Sequence, residues 1–104
     1  MEEGSMMTDE GTSRARIHAI VHGHVQGVNF RYYTTRTARR LGLKGWVANR
    51  ADGTVEAVAE GKQSDLDEFK SFLHRGSPAA RVEDVEIDWE SVKGEFDGFR
   101  VRYL

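Results

Sequence analysis

The chain has 104 residues, of which 38% are hydrophobic, enough for one small domain with a single core. Charged residues make up 31% and sum to −2, which argues against a general nucleic-acid binder with its usual basic excess. Cysteine is absent, so disulfides and thiolate metal sites are excluded and a reducing compartment fits; no apolar run approaches membrane-spanning length.

Residues 1–13 read as a disordered leader, with Glu2, Glu3, Asp9 and Glu10 and no apolar periodicity. Its polar, acidic character is unlike a signal peptide, and Gly4-Ser5-Met6 has the look of a cloning scar ahead of a native start. The domain is expected over 14–104. Ile17, Ala19 and Val21 alternate with His18, Ile20 and His22 as in a strand. A glycine-bearing segment, Gly23 to Arg31, follows. Tyr32 to Leu41 then reads as a helix, with Phe30, Tyr33 or Thr34, Thr37, Ala38 and Leu41 at helical spacing and Gly42 as its stop.

Leu43 to Asn49 is a second strand. Asp52-Gly53 signals a hairpin turn, and Thr54 to Glu60 is a third strand. Ser64 is expected to cap a second helix, with Asp65, Asp67 and Glu68 favourable to its dipole. Leu66, Phe69 and Leu73 form its inner stripe with Phe72 at the margin, and Arg75-Gly76 with Pro78 ends it. Val85, Ile87 and Trp89 alternate as a fourth strand. Ser91 to Gly98 reads as a loop, and Phe99, Val101 and Tyr103 as a short last strand. The order β-α-β-β-α-β plus a terminal strand predicts an α+β protein, a two-layer ferredoxin-like sandwich. Two helices cover one face of a mainly antiparallel sheet and leave the other partly wet.

The segment Gly23-His24-Val25-Gln26-Gly27-Val28-Asn29-Phe30-Arg31 carries the chemistry. A glycine loop between strand and helix offers backbone N–H groups to an anion, and the helix N-terminus adds partial positive charge. Arg31, in the first turn, adds a planar fork of donors suited to phosphate. Without a Lys-Ser or Lys-Thr pair, the loop is not a nucleoside-triphosphate P-loop. Val25 stands where a cysteine phosphatase would carry its nucleophile, and no Ser or Asp lies in the loop. Water is therefore the expected nucleophile, acting on an already activated substrate.

Two motifs, Gly23-x-Val25-Gln26-Gly27-Val28-x-Phe30-Arg31 and Gly45-Trp46-Val47-x-Asn49-x-x-Asp52-Gly53-x-Val55-Glu56, resemble those of the acylphosphatase family. Phe99-Arg100-Val101-Arg102-Tyr103 resembles the family's last strand, so the likeness runs from about Arg16 to Leu104. It implies hydrolysis of carboxyl-phosphate anhydrides with no metal or other cofactor. By position, Arg31 resembles the phosphate-binding arginine and Asn49 the water-orienting asparagine. Residues Gly23, His24, Val25, Gln26, Gly27, Val28, Asn29 and Phe30 resemble the amide cradle. His24 departs from the basic residue many relatives carry there, which would weaken long-range attraction for anions. The expected partners are a small acyl phosphate and inorganic phosphate, the latter as product and competitive inhibitor. The chain is expected to act as a cytoplasmic monomer, without nucleic acid or membrane.

This chemistry suits these residues. The leaving group of an acyl phosphate is a carboxylate, a weak base that departs without a proton. The site needs only to hold the phosphoryl group, offset its charge and aim a water in line. Taken alone, Asn49 equally suits a hairpin end. The cluster Arg36, Arg39, Arg40 and Lys44 reads as the solvated face and exit of the helix, and His18, His22 and His24 as structural or solvent-facing rather than metal ligands. The alternative function is a non-catalytic phosphate- or acyl-phosphate-binding module, as in larger carbamoyl-transfer proteins. That role would call for fused zinc-binding and transfer domains, which 104 residues do not hold. An RNA-binding module on the same fold class is weaker still, because Val47-Ala48-Asn49 lacks the expected aromatic repeat after Trp46.

Overall fold

A computed structural model describes residues 13–104. The leader expected over 1–13 lies outside them except for Ser13, whose carbonyl accepts the Gln63 N–H at 2.7 Å. The elements in chain order are β1 (Arg14–His24), α1 (Phe30–Arg40), β2 (Lys44–Asn49), β3 (Val55–Lys62), α2 (Gln63–Arg75), β4 (Arg81–Glu90) and β5 (Phe99–Val101). They form the expected ferredoxin-like sandwich. The sheet order is β4-β1-β3-β2-β5, with every pair antiparallel except β2 and β5.

Strand alternation sends Ile17, Ala19 and Val21 of β1, and Val55, Ala57 and Ala59 of β3, into the core. Small residues in the central strands let the helices sit close. α1 contributes Phe30, Thr34 and Ala38, one residue every fourth position, and α2 contributes Leu66, Phe69, Phe72 and Leu73. Phe72, expected at the margin, is buried because it packs on Phe30, ring centroids 6.0 Å apart.

Ser64 does not cap α2. β3 runs straight into the helix, so the capping position falls to Lys62, in extended conformation and without a side-chain cap bond. Ser64 lies inside the first turn, whose only acidic residue is Asp65. The Gln63 N–H finds its acceptor in Ser13 instead. Gln63 also donates to Asp67 at 3.0 Å, and Glu68 takes Arg40 of α1 at 3.1 Å.

The loop over 91–98 straps part of the open sheet face. Beneath it Arg16 reaches Glu60 at 2.9 Å, Glu90 at 3.0 Å and Glu95 at 3.1 Å, with its guanidinium over the Phe96 ring. Glu60 also accepts the backbone N–H groups of Lys93 (2.9 Å) and Gly94 (3.2 Å). Burial alone would raise the Glu60 carboxyl pKa. The Lys93 N–H, Arg16 and the Gly94 N–H outweigh it and hold the group below its ordinary value.

The sign follows from linkage. A carboxyl depressed in the folded state adds stability above its ordinary unfolded pKa and loses it as pH falls through the lower folded value. Urea unfolding from pH 6 to pH 3 should therefore show a smaller acid-dependent fall in midpoint for Glu60→Gln than for the parent chain. Equal falls would remove Glu60 as a source of acid sensitivity.

Candidate active site

The segment joining β1 to α1 is held from three directions. Val25 and Phe30 are buried in the core at its two ends. Ser77, just past α2, donates its hydroxyl to the Val28 carbonyl at 2.7 Å. Gln26 reaches the β2–β3 turn, where its side-chain amide donates to the carbonyls of Arg50 at 2.8 Å and Thr54 at 2.9 Å. That staple ties the loop to the strand end that carries Asn49.

Gly27 (φ +75°) and Asn29 (φ +63°) adopt the left-handed conformation. A Cβ at Gly27 would meet nothing, so glycine is needed there for its backbone freedom alone. Left-handed residues of this kind recur in backbone nests that present successive N–H groups to an anion. Among the described residues, no backbone N–H from Gln26 to Tyr32 donates to a protein acceptor in a turn, loop or cap. The first-turn amides of α1 are free by construction of any helix, and they carry its positive dipole end.

Arg31 is the second residue of α1 and is half-buried. It pairs with no Asp or Glu among the described residues, and its guanidinium lies 5.5 Å from the centroid of the Tyr103 ring. Asn49 ends β2 opposite Val55. Its Oδ1 is buried and accepts no hydrogen bond from the described residues. The turn beyond it is held by other groups. Asp52 accepts from the Thr54 N–H at 3.0 Å and the Thr54 hydroxyl at 2.6 Å, and the Gly53 N–H donates to the Arg50 carbonyl at 3.1 Å. The Thr54 hydroxyl, chiefly, holds the Asp52 carboxyl below its ordinary pKa.

Of the ten residues expected at the site, Val25, Gly27, Asn29, Phe30, Arg31 and Asn49 line one concavity of about 550 Å³. Gln26 and Val28 stand behind it, as staple and as the acceptor of Ser77. Gly23 and His24 do not line it. They are the last residues of β1, paired with Val82 and Arg81 after a bulge at His22/Gly23. At Gly23 (φ +127°) a Cβ would fall 2.1 Å from the Arg81 carbonyl oxygen, so close strand contact also demands this glycine.

The far wall of the concavity was not legible as site from the sequence. Thr35, Arg39, Arg100 and Tyr103 form much of it. Arg39 belongs to the cluster read as solvated helix surface, yet its Nε donates to the Phe99 carbonyl at 3.0 Å. The signal available was spacing: Arg31, Thr35 and Arg39 follow each other at four-residue intervals on one flank of α1. The three histidines form no metal cluster. His18 pairs with Glu56 at 2.6 Å and His22 with Glu86 at 2.5 Å, and no group of three or more potential ligands stands among the described residues. No helix among them is long and apolar enough to cross a membrane.

On this small ferredoxin-like sandwich the loop, Arg31 and the Asn49 side chain line one concavity, and Arg31 pairs with no carboxylate among the described residues. The family model for acylphosphatase matches residues 17–101. An acylphosphatase from Pelotomaculum thermopropionicum is 45% identical over 91 residues, covering 88% of this chain and 99% of the relative. One from Anaeromyxobacter sp. is 48% identical over 89 residues, covering 86% and 96%. The crystal structure of acylphosphatase from Bacillus subtilis superposes with a TM-score of 0.83 at 37% identity, covering 86% of this chain and 99% of that one. The chain belongs to the acylphosphatase family.

Proposed function

We propose that this chain hydrolyses acyl phosphates to carboxylate and inorganic phosphate by direct attack of water on phosphorus, with no metal. The observation that carries the reading is the convergence of Arg31, Asn49 and the loop residues Val25, Gly27, Asn29 and Phe30 on one concavity in a member of this family. The free N–H groups of the loop and the Arg31 fork hold the phosphoryl oxygens and offset the charge that spreads over them in the transition state. Gly23 and His24 set the approach of β1 to that loop rather than touching the substrate. The Asn49 Oδ1, an acceptor without a partner among the described residues, takes a hydrogen bond from the attacking water and aims the water's lone pair at phosphorus. The departing carboxylate needs no proton, and the phosphoryl oxygens accept the one released by water. No side chain is required as general acid.

Inorganic phosphate, the product, fits the same cradle and competes with substrate. The site is assembled within one chain, which supports a monomer, and the lack of cysteine accords with a cytoplasmic setting.

Direct attack predicts that no phosphoenzyme forms. Acid quench during turnover of benzoyl phosphate, followed by mass spectrometry, should find the chain at its unmodified mass, and EDTA should leave kcat unchanged. A stoichiometric phosphorylated residue, or activity lost on chelation and restored by zinc or magnesium, would overturn the reading.

A further inference from the structure

The concavity is far larger than a phosphoryl group, and its surplus has a definite chemistry. Beyond Arg31 it continues as a trough between the flank of α1 and the edge strand β5, and past Arg39 into a further hollow of about 390 Å³ bordered by Lys44. Among the described residues no Asp or Glu lines either part, although the whole chain is net negative. Arg31, Arg39 and Arg100 all face into it. Arg39 is fixed at one nitrogen by the Phe99 carbonyl, which leaves its two terminal nitrogens free to donate. Among the described residues Arg39 pairs with no carboxylate, and Arg100 has only an exposed contact to Asp97 at 3.2 Å.

Resting on the function proposed above, we infer that this trough is an acyl subsite for substrates bearing a second anion, with Arg39 as the specificity-determining residue. Arg39 follows Arg31 by eight helical positions, an axial rise of about 12 Å that the length of the two side chains can shorten. A phosphoryl group on Arg31 and the loop therefore places the tail of a short dicarboxylic acyl phosphate within reach of Arg39. An uncharged acyl group would leave that guanidinium without a partner. Phosphoryl binding alone does not distinguish acyl groups, whereas a second cationic contact does.

The test compares kcat/KM for succinyl phosphate and acetyl phosphate. The parent chain should favour succinyl phosphate, and added NaCl should erode the preference by screening the pair. In Arg39→Gln the preference should fall about tenfold, through KM rather than kcat, as expected for loss of one charge-assisted contact. Arg39→Lys should keep part of it. Arg100→Gln, whose parent side chain hydrogen-bonds only Asp97 among the described residues, repeats the test without touching the Phe99 bond and should give a smaller fall. A parent chain without preference, or a preference equal in Arg39→Gln and parent, would overturn the subsite. A parent chain that hydrolyses neither compound would overturn the function itself, which is a separate outcome.

Discussion

Arg31→Ala should lose at least about 10³ in kcat/KM for benzoyl phosphate, with inorganic phosphate inhibition weakened in parallel. The scale is that of arginines that clamp phosphoryl groups in transition states. Arg31→Lys should recover little. It restores the charge, but not the planar fork that meets two phosphoryl oxygens at once. Stability should barely change. Arg31 makes no ion pair among the described residues, and its partner ring Tyr103 is 82% exposed, so their contact is worth little. The measurements are steady-state kinetics, phosphate inhibition and urea midpoints on both variants. Near-normal kcat/KM in Arg31→Ala would remove the phosphate-clamp role.

Asn49→Ala should act on a different quantity. The expected loss is about 10²–10³ in kcat, as for deletion of one oriented hydrogen bond used mainly in the transition state. Phosphate affinity should hold, because the cradle and Arg31 are untouched. Folding should hold as well, for a reason visible in the structure. The turn after Asn49 is closed by Asp52, Thr54 and the Gln26 staple, while the Asn49 Oδ1 has no partner to lose among the described residues. Truncation deletes a buried unsatisfied acceptor and leaves none behind. A turn role predicts the reverse pattern, a lower urea midpoint with kcat per folded molecule intact. That result would return Asn49 to the hairpin and leave water positioning without a residue.

The parts of the molecule that depend on local period were legible in the sequence. Phe30, Thr34 and Ala38 recur at helical spacing, Ile17, Ala19 and Val21 at strand spacing, and both sets are buried where that spacing puts them. The loop and Arg31 were legible because glycine, helix start and arginine are contiguous in the chain. What could not be read depends on contacts made across the chain. Gln26 looked like one more member of the cradle, and only the fold shows it bonded to Arg50 and Thr54. The strap over 91–98 exists because Glu60, on another strand, collects two of its N–H groups. Ser64 has the chemistry of a cap, but β3 and α2 meet without the intervening residue a cap needs. Arg39 is exposed on α1, as its place in the helix implies, but only the fold shows β5 supplying the opposite wall of the trough.

Hydrolysis of benzoyl phosphate in ¹⁸O-labelled water with EDTA present tests the central claim most directly. Water attacking phosphorus in a metal-free site predicts turnover with one label in inorganic phosphate and none in benzoate. Label in benzoate, or no turnover at all, would contradict it.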